Sequence, residues 1–313
     1  MGCRGCLLSL LASVASPLGG PPATVVVVTC SAHYTDFFEN WLAWLERSGV
    51  AGAVGLVAIA EDESAAAYLE AWAAAPPPGW HAYRRAVAPP AAGAAPLGGA
   101  LGFETRGFAT LMARRAAYLA AELAALAADG AWAKDPASRL VFSDLDVVWL
   151  GAGQQKRAKF PTSKAPISAI FHSLGDPRPH LRSSGCDAWA QTQHREKGLL
   201  NPGFLALRPS PGAAKLLDAW AAALAGGPQR NLPAFNAAAR GAAPAAAACA
   251  LPPETFCSAK RTFNRPKWAA DAPRGAVTAH ANWIDGHDAK RAALARSGAW
   301  LAAGATPLLV PAR

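Results

Sequence analysis

The stretch that most narrows the fold is "TVVVVTC", Thr24 to Cys30. A continuous run of β-branched residues has no polar face, so it reads as a strand covered on both sides, the pattern of a parallel sheet. Beyond it, helix and strand alternate. In "SAHYTDFFENWLAWLERSG", Phe38, Trp41, Leu42 and Leu45 share one helical face, and Gly49 ends the helix. "AVGLVAIA" (53–60) is a second strand, and "EDESAAAYLEAWAAA" a second helix stopped by the prolines at 76–78. "HAYRRAV" reads as a short third strand. Strand and helix at regular spacing predict an α/β fold with right-handed crossovers.

Further along, 88–102 is rich in Pro, Gly and Ala and reads as a loop; with its flanks it spans 87–107. A long amphipathic helix, "GFATLMARRAAYLAAELAALAADG", then leads into the strand "RLVFSDLDVVWL". Residues 151–185 read as a polar, irregular excursion. "GLLNPGFLALRPS" returns as strand and "GAAKLLDAWAAALAG" as helix, followed by an Ala-rich passage. The strand "AVTAHANWI" and the helix "DAKRAALARSGAW" close the pattern, without internal repeats. The expectation is a single domain over 23–313, behind a signal-like or anchor-like leader over 1–22.

That leader has one Arg and an apolar stretch from Leu7 to Val14, shorter than the roughly 20 residues a bilayer span needs. It is the one element expected to associate with a membrane. With 30 Lys+Arg against 21 Asp+Glu, the chain carries a formal net charge of +9, which suits anionic partners. No basic block or basic stripe with interleaved aromatics accompanies that charge, so nucleic acid is not an expected partner. Cys3 and Cys6 lack the second half of a zinc site. Cys249 and Cys257 are spaced either for a small disulfide loop or as two buried thiols.

The chemistry concentrates in "FSDLDVVWL", where Asp144 and Asp146 sit near the end of a buried strand. Ligands of open α/β sheets bind beyond the carboxyl ends of their strands. Residues two apart in a strand point the same way, so the carboxylates would repel unless they are solvated or share a cation. Mg²⁺ and Mn²⁺ take carboxylate oxygens and leave positions for phosphate.

With "NPGFLALRPS", "KLLDAW" and "TAHANWIDGHDAK" added in order, the chain resembles the nucleotide-diphospho-sugar transferases, the GT-A-type glycosyltransferases. Within them it is most similar to the plant and algal cell-wall group of arabinosyl-, xylosyl- and galactosyltransferases. The resemblance runs from Thr24 to Trp300. It implies a GT-A-like, mostly parallel mixed sheet and retaining transfer of a pentose or hexose from a UDP-sugar. The acceptor would be a glycoprotein or polysaccharide hydroxyl, and the location the Golgi lumen or secretory pathway. It implies Mn²⁺ or Mg²⁺ on Asp144, Asp146 and His280, and catalytic roles for Asp146, Lys290 and Asn201. Arg115, ahead of its neighbour Arg114, would pair with phosphate or with the aspartates. Gly203 would line the donor pocket, Gly286 would allow close approach, and Asp62 would meet the nucleoside. Asp187 reads as a surface residue or a hydroxyl-binding one. The sequence departs from the family where an Asp-Gln pair precedes Phe-Asn, carrying Asn231 and Leu232 instead. That leaves open an inactive nucleotide-sugar-binding protein. An Asp-nucleophile phosphatase also fits "VFSDLDVV".

Overall fold

The computed structural model describes residues 20–75, 77–88, 106–150, 185–193, 198–225, 230–241, 248–258, 262–263, 276–302 and 304. The leader up to residue 19, most of the 87–107 loop and residues 151–184 of the polar excursion lie outside the described residues.

The chain builds β1 (Thr24–Cys30), α1 (Thr35–Ser48), β2 (Gly55–Ala60), α2 (Glu63–Ala74), β3 (Arg84–Val87), α3 (Arg106–Ala127) and α4 (Gly130–Lys134). Then come β4 (Arg139–Ser143), β5 (Val147–Trp149), β6 (Ala188–Thr192), β7 (Leu200–Leu207), α5 (Pro211–Ala225) and α6 (Asn231–Gly241). The last elements are β8 (Ala248–Leu251), β9 (Phe256–Ser258), β10 (Thr278–His280) and α7 (His287–Arg296).

A seven-stranded sheet runs β3-β2-β1-β4-β7-β6-β8. Only β7 is antiparallel to its neighbours, so the sheet is mixed and mostly parallel, as expected. A smaller sheet, β5-β10-β9, joins it. The β-branched run of β1 is buried throughout because alternate residues feed two cores. Val26 and Val28 face Phe38, Trp41 and Leu45 of α1 together with the small sheet. Val25 and Val27 face Leu119 and Leu123 of α3 and Leu216 and Trp220 of α5. Each large side chain so buried contributes roughly 1.5–3 kcal/mol. Gly49, with φ of 76°, ends α1 in the left-handed conformation that favours glycine.

Three expectations need correction. "RLVFSDLDVVWL" is not one strand. It breaks after Ser143 into a turn, closed by the Val147 amide donating to the Asp144 carbonyl at 3.1 Å, and resumes as β5 in the other sheet. The strand expected over "AVTAHANWI" ends at His280, because Trp283 takes a left-handed φ of 70° that no strand accommodates. The disulfide joins Cys186 to Cys249, with Cα atoms 6.0 Å apart, and leaves Cys257 a buried free thiol. Cys249 lies on β8 opposite Trp189 of β6, and Cys186 sits just ahead of β6, whereas Cys257 lies on β9 in the smaller sheet.

Candidate active site

The aspartates converge through the turn, not through strand alternation. Asp144 follows β4 at the carboxyl edge of the parallel strands, and its amide donates to the Gly203 carbonyl at 2.7 Å. Because β7 runs the other way, its early residues Asn201 and Gly203 arrive at that same edge. Asp146 enters β5, whose antiparallel pairing with β10 sets Val147 opposite His280. The Ala281 amide donates to the Asp146 carbonyl at 2.9 Å.

The result is a cluster in which Asp144, Asp146 and His280 each offer one ligand atom, all within 4.8 Å of one another. His280 Nε2 lies 3.2 Å from Asp146 Oδ1 and 3.6 Å from Asp144 Oδ2. Two carboxylates and an imidazole make a donor set that suits Mn²⁺ and tolerates Mg²⁺. Gly203 forms its floor. A Cβ there would sit 2.3 Å from His280 Cε1 and 2.4 Å from Asp144 Oδ2, closer than any side chain tolerates. The space that Gly203 leaves open is thus occupied by the ligand residues themselves.

Two cations flank the cluster. Lys290 Nζ donates to Asp146 Oδ2 at 2.7 Å. Arg115 Nε donates to Glu61 Oε1 at 2.7 Å, and its Nη1 to Asp144 Oδ1 at 3.3 Å. Of the two neighbouring arginines, it is therefore Arg115 that reaches the aspartates. Burial would raise the Asp146 carboxyl, but the Lys290 ammonium beside it outweighs burial and holds the group well below the usual carboxylate range. Asp144 is pushed up, by burial and then by Asp146, with Arg115 opposing. Burial would lower Lys290, yet Asp146 raises it on balance and keeps the ammonium charged. Three carboxylates against two cations leave a net charge of −1 with His280 neutral. A divalent ion would turn the site positive and fit it for an anionic ligand.

The remaining expected residues fall nearby in more local settings. Asn201 is buried, its Nδ2 donating to Gln193 Oε1 at 3.1 Å and its Oδ1 accepting from the Gly203 amide at 2.8 Å. Asp62 caps α2, accepting from the Ala65 amide at 2.8 Å and from the Ala32 amide at 2.9 Å, which ties the loops after β1 and β2 together. Gly286 has no protein atom within 4 Å of a would-be Cβ, so close approach to the protein is not its reason. Its φ of 85° and ψ of 146°, at the start of α7, are a glycine conformation. Asp187 accepts from Ser210 Oγ at 2.6 Å beside Gly212, at the start of α5.

Three residues of the site escape sequence reasoning: Glu61, Gln191 and Gln193. The pattern makes Glu61 the start of a helix; it ends the β2 segment instead, its amide donating to the Cys30 carbonyl at 2.8 Å. Gln191 Oε1 lies 2.9 Å from His280 Nδ1. Gln193 Oε1 accepts from the Nδ2 groups of Asn201 and Asn282. The only signal is two glutamines spaced to share a face in "AWAQTQ".

A mostly parallel sheet that gathers two carboxylates, an imidazole and two cations at its carboxyl edge defines an α/β protein built to receive a cation and an anionic ligand. The family model of the nucleotide-diphospho-sugar transferases matches residues 55–294, and the chain belongs to that family. It is a glycosyltransferase by that membership, and the phosphatase reading falls.

Solved structures that it resembles include the galactosyltransferase LgtC, at 10% identity and TM-score 0.49, covering 88% of this chain and 96% of that one. GlyE of Streptococcus pneumoniae TIGR4 is similar at 11% identity and TM-score 0.46, with 88% of this chain and 60% of GlyE covered. Mouse xyloside xylosyltransferase 1 follows at 11% identity and TM-score 0.41, covering 84% of this chain and 98% of that one. No curated protein matches the sequence. No helix among the described residues is long and apolar enough to cross a membrane.

Proposed function

We propose that the protein moves a pentose or hexose from a UDP-sugar to a hydroxyl of a glycoprotein or polysaccharide, with retention and with Mn²⁺ or Mg²⁺ as cofactor. The observation that carries this is the convergence of Asp144, Asp146 and His280 within 4.8 Å in a member of a nucleotide-sugar family. Those three residues would hold the ion, which when bound neutralises charge on the departing diphosphate. Lys290, freed from Asp146, would meet the phosphate oxygens and stabilise the charge that develops as the glycosidic bond breaks. Arg115 holds Asp144 in place and adds a second positive charge on the phosphate side. Asn201 and Gly203 form the wall against the donor sugar. Asp62 fixes the loop on the nucleoside side, and Gly286 sets the entry into the Lys290 helix.

For location we propose the lumen of the secretory pathway, most simply the Golgi, with a cell-wall or glycoprotein acceptor. The Cys186–Cys249 disulfide supports an oxidising compartment. A second reading, donor binding without transfer, is favoured by Asn231 and Leu232 in the place of the family's Asp-Gln pair. In the fold, Asn231 Oδ1 is engaged by Trp220 Nε1 at 3.1 Å.

Calorimetric titration of UDP with and without Mn²⁺ tests both. Binding that needs Mn²⁺ and disappears in Asp146→Ala is expected, together with release of UDP from a UDP-sugar. Binding without any turnover would select the second reading. No Mn²⁺-dependent binding in the intact protein would overturn both.

A further inference from the structure

Gln191 is wholly buried on β6, and each atom of its carboxamide has a partner. Its Nε2 donates to the carbonyls of Phe256, at 3.1 Å, and Cys257, at 2.7 Å. Carbonyl oxygens only accept, so the amide cannot be flipped without setting oxygen against oxygen twice. Its Oε1 is therefore fixed toward His280 Nδ1, at 2.9 Å. An amide oxygen is only an acceptor, so Nδ1 must carry the hydrogen. In the neutral ring, Nε2 is then left with a bare lone pair, and Nε2 is the atom that faces Asp144 and Asp146.

We infer that Gln191 is a positioning residue: it sets the tautomer and ring orientation of His280 and so makes the three-residue cluster a cation site. The inference rests on the proposed function, which reads that cluster as a metal site. A lone pair facing two carboxylates is repulsive by itself and becomes favourable once a cation lies between them. The selection is built from both sheets. The acceptor comes from β6 of the large sheet, the carbonyls that orient it from β9, and the histidine from β10 beside β9. One buried amide thus relays the register of β9 to the ligand face of His280.

The test uses the full chain, with Mn²⁺ alone as the binding probe. Two-bond ¹H–¹⁵N NMR on the metal-free protein, at a pH where the His280 ring is neutral, should show Nδ1 protonated and Nε2 bare. In Gln191→Leu the tautomer should become mixed, and Mn²⁺ binding by electron paramagnetic resonance should weaken on the order of 10- to 100-fold. Gln191→Glu, buried as the neutral acid, can donate its O–H to the Cys257 carbonyl while its other oxygen accepts from Nδ1, and should keep the wild-type tautomer; a merely structural glutamine would leave the tautomer alike in both variants. Thermal melts of both variants establish that they fold, and the wild-type spectrum decides the matter even if they do not. A bare Nδ1 with protonated Nε2 in the wild type, or unchanged Mn²⁺ affinity in folded Gln191→Leu, would overturn the inference. If the intact protein binds no Mn²⁺, the proposed function falls, while the tautomer spectrum still judges Gln191.

Discussion

The middle of the seven-stranded sheet and the seam where it meets the three-stranded sheet are both buried, but by opposite means. Around β1, burial is apolar: valines on both faces against Trp41, Trp44, Leu119 and Trp220. At the seam, Gln191 and His280, and Gln193 with Asn201 and Asn282, are buried and hydrogen-bonded to one another. Apolar burial is non-directional and scales with area, so it supplies stability while fixing little. A satisfied polar network fixes each atom's direction, and any mismatch exposes a desolvated group. Stability and geometry are therefore assigned to different regions.

Three changes break or sharpen that contrast. The largest loss of stability is expected from Trp220→Ala in the apolar layer, about 3–5 kcal/mol by denaturant titration. Mn²⁺ affinity of the folded fraction should not change; if it does, the two regions are not separate. Gly203→Ala at the seam should lower stability by a smaller amount, about 1–3 kcal/mol. Its added methyl collides with His280 and Asp144, so Mn²⁺ binding should fall by on the order of 100-fold, seen by calorimetry.

The smallest effect concerns His287, where α7 docks on α1. Its Nε2 lies 2.9 Å from Asp36 Oδ1 and its Nδ1 3.0 Å from Asp288 Oδ1. Burial would lower this imidazole, but the two carboxylates raise it above its ordinary 6.5. The stabilisation is therefore complete below the ordinary value and is lost as the pH climbs through the raised one. His287→Gln should flatten that segment of the melting-temperature profile, a difference of about 1 kcal/mol.

The same contrast explains what could be read without the fold. Continuous apolar strands and amphipathic helices carry their period in the residues themselves, so β1, β2, α1 and α3 were legible, as was the convergence of Asp144, Asp146 and His280 through the family pattern. β6 went unseen because Gln191 and Gln193 interrupt its apolar character, and their partners on β7, β9 and the His280 segment are remote in sequence. The split of "RLVFSDLDVVWL" was hidden for a related reason: apolar flanks on both sides of the aspartates favour one strand, and only pairing with β10 pulls the second half into another sheet. Glu61 looks like a helix start because acids are common there. Its role depends on Arg115 arriving from α3.

The disulfide matters for handling the protein. Among the described residues, the outer strands of the large sheet, β3 and β8, pair on one side alone, and an edge of that kind invites pairing with another chain. β3 is guarded by charge: Arg84 lies over the Trp72 ring at 4.4 Å, and Arg85 pairs with Glu122. β8 is short, partly exposed and without charged residues, and Cys249 fastens it to the start of β6. Reducing agents loosen the uncharged margin and leave the charged one as it was, so self-association under thiol reductants should begin at β8.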